Sequence, residues 1–85
     1  MLEQTPRDES MRISTDKAMR GGKVNWAAWT AGLFLPKLRQ MRDGVDLSYL
    51  LGDNEENLTA ARNALDPATR RDLEAAIEQQ WRTIG

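Results

Sequence analysis

The chain has no cysteine and no histidine. Their absence excludes disulfides, thiolate chemistry, zinc sites built on Cys or His, and any Ser–His or Cys–His nucleophile pair. A chain without cysteine suits a reducing compartment, so a cytoplasmic location is expected. No apolar run is long enough to span a bilayer, which takes about 20 residues. The longest run, Val24 to Leu35, is interrupted by Asn25 and Thr30. Its length suits a signal-peptide core, but four acids precede it and no small-x-small cleavage site follows. Neither sign of charge dominates. Twelve basic and thirteen acidic residues leave a net charge of −1, which is no bulk polycation.

Catalysis has little to stand on. Acid–base chemistry would fall to carboxylates, lysines or the single Tyr49. Most of the acids stand at predicted helix starts or on exposed helix faces, where caps and solvated charge account for them. A chain of 85 residues also has little material to enclose a pocket of a few hundred Å3. The chain is therefore read as a non-enzyme with no cofactor, no metal and no small-molecule substrate. The oxygen-rich stretch Asp53-Asn54-Glu55-Glu56-Asn57 lacks the alternate spacing and central glycine of an EF-hand loop. Gly21-Gly22-Lys23 lacks the spaced first glycine and the following Ser/Thr of a phosphate loop.

What the sequence does contain is helical periodicity. It predicts an all-α fold, a small bundle of three main helices with a flexible or short helical N-terminal arm. The arm covers residues 1–22 and the helical domain residues 23–85. Pro6 and the Gly21-Gly22 pair would bound a short helix near Arg7 to Arg20 if the arm is helical, and the glycine pair reads as a hinge. The first strong helix spans 24–43. Val24, Ala27, Ala31, Phe34, Leu35, Leu38, Met41 and then Val45 recur at steps of three and four and share one face. Pro36 falls inside this pattern and must kink or break it, because it cannot donate to the Gly32 carbonyl.

Asp43-Gly44 should end that helix, with Gly44 as a left-handed cap. A short turn through Leu47, Tyr49, Leu50 and Leu51 follows, with Asp46 as its N-cap. A second main helix starts at Asp53 or Asn54 and carries Leu58, Ala61 and Leu65 inward. Asp66-Pro67 is the clearest boundary, with Asp66 at the N-cap and Pro67 at the first helical position. The last helix runs to about Thr83. The expected core is Ala27, Ala31, Phe34, Leu38, Met41, Leu50, Leu58, Ala61, Leu65, Leu73, Ile77 and Trp81. No family resemblance is evident.

The informative feature is surplus apolar surface on the first helix. Trp26, Trp29 and Leu33 lie about 100° around from the main stripe. Either the rest of the domain covers both faces, or the second face meets a partner. The functional expectation is a non-enzymatic protein–protein interaction module, an assembly subunit, adaptor or inhibitor. Its contact residues would be Trp26, Trp29, Leu33, Lys37, Arg39 and Arg42. Self-association is a variant, because the segment 24–45 carries +2 and the segment 46–66 carries −4. The alternative is a membrane surface bound through residues 23–42. A second alternative is nucleic acid bound through the basic segment 17–42, where six bases occur with no acid between them.

Overall fold

The computed structural model describes residues 11–84. The described chain is mostly helical. Asp66 and Pro67 do what the sequence predicts. Asp66 Oδ2 accepts the Thr69 amide at 3.2 Å and its Oδ1 accepts the Thr69 hydroxyl at 2.6 Å. Helix α5 then runs Pro67–Ile84. One orphan amide at the helix start is thereby engaged, the Thr69 hydroxyl adds a second bond to the cap, and proline's missing amide goes unmissed. Before it, α4 spans Glu55–Ala64 and buries Leu58 and Ala61.

Helix α3 spans Gly44–Asp53, a full ten-residue element where only a short turn was expected. Gly44 is its first residue rather than a left-handed cap. The N-cap is Asp43, whose Oδ1 accepts the Asp46 amide at 2.9 Å. Asp46 thus stands inside the first turn, not at the cap. The described chain has four helical segments where three main helices were expected.

The segment from Trp26 to Leu38 is continuous but not uniform. It comprises α1 (Trp26–Trp29), a π-helical stretch (Thr30–Phe34) and α2 (Leu35–Leu38). Pro36 explains the stretch. It has no amide for the Gly32 carbonyl, and its ring crowds the preceding turn. The turn widens, and the Leu35 amide reaches back five residues to the Thr30 carbonyl. One extra residue in a turn shifts every later side chain by about 100°.

That shift is the angle expected to separate the two apolar faces. The π-helical stretch cancels it. Trp29 before the bulge, Phe34 at its last position, and Leu38 and Met41 after it are all buried in one core. Trp29 and Phe34, five residues apart, stack with ring centroids 5.4 Å apart and planes inclined by 19°. Ala27 and Ala31, expected in the core on uniform α-helical phase, are exposed instead.

The remainder of the core comes from Ala18, Leu47, Leu50, Leu58, Ala61, Leu65 and Leu73. Ile77 packs against it half-buried, whereas Trp81 lies outside.

The N-terminal region differs from a hinged arm. Residues 1–10 lie outside the described residues, and so does most of the first half of the helix considered for Arg7 to Arg20. From Met11 the chain runs over α3 and α4, with a single 3-10 turn at Asp16–Ala18. A two-stranded antiparallel hairpin follows, β1 (Met19–Arg20) paired with β2 (Lys23–Val24). Gly21 and Gly22 form its turn with φ of 57° and 83°. Two successive positive φ values are what a two-residue hairpin turn demands, and glycine adopts them without strain. The boundary expected between residues 22 and 23 therefore falls inside a hairpin, not at a hinge.

Asn54 fastens this N-terminal segment. It sits between α3 and α4 and is buried. Its side chain does not cap α4. It accepts the Ile13 amide at 2.8 Å and donates to the carbonyls of Met11 at 3.0 Å and Leu50 at 2.8 Å. Asp53 Oδ2 accepts the Met11 amide at 2.8 Å. The Ile13 carbonyl accepts from both Asn57 Nδ2 and the Trp29 indole, at 3.2 Å and 3.3 Å. A segment without a sheet partner thus has its polar backbone engaged by side chains. Among the described residues, no helix is long and apolar enough to cross a membrane.

Candidate functional site

The structure divides the six residues expected to meet a partner. Trp29 is 0% exposed and is among the largest fully buried side chains. Its indole N–H is committed to Ile13, and its ring is packed between Trp26, edge-on at 5.5 Å, and Phe34. Trp26 and Leu33 are half-buried against the same core. The expected Trp face is therefore the inner face of its helix, turned there by the π-helical stretch. Lys37, Arg39 and Arg42 are exposed. The Arg42 guanidinium folds back onto the Arg39 carbonyl at 2.9 Å.

Exposed apolar surface gathers elsewhere. Among the described residues, the exposed large hydrophobic side chains are Met19, Val45 at 64%, Tyr49 at 38% and Trp81 at 39%. Val45, Tyr49 and Trp81 line one open groove of about 730 Å3, together with Asp43, Gly44, Asp46 and Ser48. One wall is the N-terminal half of α3. Val45 and Tyr49 are four residues apart there and share a face, while Leu47 and Leu50 turn inward. The other wall is Trp81 on α5.

Local chemistry fixes both walls. The Asp43 cap starts α3 at Gly44, so Val45 and Tyr49 fall on the outer side. Gln80, buried one residue before Trp81, donates to the Met41 carbonyl at 2.7 Å. That bond ties α5 to the linker entering α3. A Cβ added at Gly44 would lie 3.5 Å from Trp81 Cζ3, so the indole rests on the first turn of α3. The floor is apolar and aromatic, and Asp43 and Asp46 supply negative charge at its edge.

Sequence reading misplaced Trp81. Relative to Leu73, the seventh residue on, Gln80, returns to almost the same angular position, and Trp81 is rotated about 80° away. Gln80 takes the buried place despite being polar because it has a backbone carbonyl to meet. The signal that could have found the groove is the Val45/Tyr49 spacing, which carries meaning only once residues 44–53 are read as a helix.

The described residues contain no group of three or more His, Cys, Asp or Glu side chains placed to hold a metal ion. One carboxyl is held below its ordinary range. Asp66 is lowered by the Thr69 hydroxyl and then by the Thr69 amide, and it is a helix cap away from the groove lining. No protein-family model, curated protein or solved structure matches this chain.

Proposed function

We propose that this chain is a non-enzymatic protein–protein interaction module of the cytoplasm, and that it acts through the groove of Val45, Tyr49 and Trp81. One observation carries the reading: three of the four exposed large hydrophobic side chains among the described residues converge on a single concave surface. Isolated apolar residues on a surface are ordinary, but a shared groove with two aromatic rings is the pattern of an interaction site. Tyrosine and tryptophan are favoured anchors because each buries a large rigid area and keeps a polar end. Asp43 and Asp46 would orient the partner and exclude those with a matching negative charge.

The reading moves the contact surface from the Trp26/Trp29/Leu33 face to the groove. It keeps the expected class of function, whether assembly subunit, adaptor or inhibitor. It also bears on the membrane alternative, since an interfacial helix at 23–42 would need Trp29 outside, and Trp29 is buried.

The test is affinity capture from a lysate of the source organism with wild type, Val45→Asp and Trp81→Ala. Both substitutions are at exposed positions and should leave the far-ultraviolet circular dichroism intact. A protein retained by wild type and lost with both variants is the expected result. Identical captured sets for all three chains would overturn the groove as the contact surface.

A further inference from the structure

The groove has a complement on the same chain. Met19 is the exposed large hydrophobic among the described residues that lies outside the groove, at 40% exposure. It stands on β1 of the hairpin, opposite Val24, while Arg20 stands opposite Lys23. Directly paired residues of antiparallel strands share a face, so Met19 and the Arg20–Lys23 pair occupy opposite faces. Lys17, Arg20 and Lys23 are all exposed. The hairpin is thus a slim edge closed by a two-glycine turn, with exposed Met19 beside the core-packed Val24 on one face and Arg20 and Lys23 on the other. The groove has the inverse character, with an aromatic floor and the carboxylates of Asp43 and Asp46 at its edge.

Building on the groove as the contact surface, we propose that its occupant is the hairpin of a second copy of this chain. Met19 would lie against the rings of Trp81 and Tyr49, a contact that thioether sulfur favours. On the opposite face, Arg20 and Lys23, with Lys17 nearby, would reach around the thin edge of the hairpin toward Asp43 and Asp46 at the rim. Charge segregation along the chain supports this orientation. From Lys17 to Arg42 there are six bases and no acid, and from Asp43 to Asp66 six acids and one base. Like surfaces meeting across a two-fold axis would repel at both ends. A basic surface meeting an acidic one attracts, and steers the encounter. The contact pairs unlike surfaces: two copies can exchange hairpins reciprocally across a two-fold axis as a closed dimer, or each copy can use its hairpin on one neighbour and its groove on another, which ends in a ring or an open filament.

Sedimentation velocity on the full chain tests this, from about 10 μM to about 1 mM, at about 50 mM and about 500 mM salt. At low salt the weight-average mass should climb above the 9.6 kDa of one chain as concentration rises, and high salt should return it toward that value. Met19→Glu blocks the hairpin and Val45→Asp blocks the groove. Each variant alone should stay monomeric with an unchanged unfolding midpoint. Their equimolar mixture should form a one-to-one complex and nothing larger, because a single intact hairpin and a single intact groove remain. A wild type that stays monomeric throughout overturns the proposal, as does a mixture that stays monomeric or variants that assemble like wild type. If wild type is monomeric but still captures a foreign protein in a Trp81-dependent way, only the identity of the occupant falls. If neither assembly nor capture responds to Val45→Asp and Trp81→Ala, the groove itself falls.

Discussion

Replacing Asn54 by alanine should remove more stability than any surface substitution, because one side chain serves three backbone groups. It accepts from Ile13 and donates to Met11 and Leu50. A net contribution of about 1 kcal/mol per hydrogen bond gives about 3 kcal/mol for the set. The true loss should be somewhat less, about 2–3 kcal/mol. Water can reach the part-buried Met11 and Ile13 groups once the segment loosens, and the Leu50 carbonyl keeps the Asn54 amide at 3.2 Å. A domain of this size has roughly 4–13 kcal/mol in total. At about 4–8 °C per kcal/mol, the midpoint of thermal unfolding should fall by roughly 10–20 °C. Urea titration gives the free energy, and hydrogen exchange at the Ile13 amide reports the local site. Asn54→Asp is the sharper companion. A carboxylate can still accept from Ile13 but cannot donate to either carbonyl, and its charge is buried. It should be worse than alanine at neutral pH. Burial raises the folded-state pKa of such a carboxyl, so the deficit should shrink as pH falls through that value. A loss under about 0.5 kcal/mol for Asn54→Ala, with Ile13 exchange unchanged, would refute the view that this amide holds the N-terminal segment.

Three further outcomes are expected. Thr30 is buried and its Oγ1 has no hydrogen-bond partner among the described residues; Thr30→Val keeps the shape and should raise stability by about 1 kcal/mol in a urea titration. Deleting Ala31 together with Pro36→Ala should give a regular α-helix with its inner face still in phase, unfolding cooperatively within about 2 kcal/mol of wild type. Without the compensating bulge, the same deletion would turn Phe34, Leu38 and Met41 outward, at about 1.5–3 kcal/mol each. The Asp66 carboxyl should titrate below the ordinary aspartate value by NMR and move upward in Thr69→Ala, which removes the hydroxyl that lowers it most. Because the folded value is depressed, its stabilising effect is present above the unfolded pKa and is lost as pH falls through the folded one.

The parts of the fold legible in the sequence are those governed by local chemistry. Asp66-Pro67 carries its own start signal, and Leu58, Ala61, Leu65 and Leu73 follow regular spacing into the core. Phe34, Leu38 and Met41 were also legible, because they lie at the end of the bulge or beyond it and share one phase. What failed was the assumption of constant α-helical phase across residues 30–34, the turn before Pro36. The proline signalled a disturbance but not its form. A kink keeps the angular register, whereas a π-helical turn resets it, and the large side chains of Trp29 and Phe34 select the reset by stacking. The two-residue strands are too short to show alternation. Asn54 reads as a helix cap from sequence because caps are local, whereas two of its three partners, Ile13 and Met11, lie more than 40 residues away. Of the candidate site, only the class of residue was legible. A tryptophan was expected at the contact surface, but Trp29 and Trp81 exchange places between surface and core, since Gln80 has a distant carbonyl to satisfy and Trp81 does not.

The amide clasp at Asn54 also orders events during synthesis. Met11 and Ile13 leave the ribosome some 40 residues ahead of the side chains that receive them, at separations of 41 to 44 positions. Among the described residues β1 pairs with β2 and the 3-10 turn spans three residues, so neither engages Met11 or Ile13. The earliest part of the described chain to appear is thus among the last to be seated. Until α3 and α4 have met at Asn54, Trp29 lacks the carbonyl that receives its indole. Until then the nascent chain has no finished site for the tryptophan that the folded protein buries.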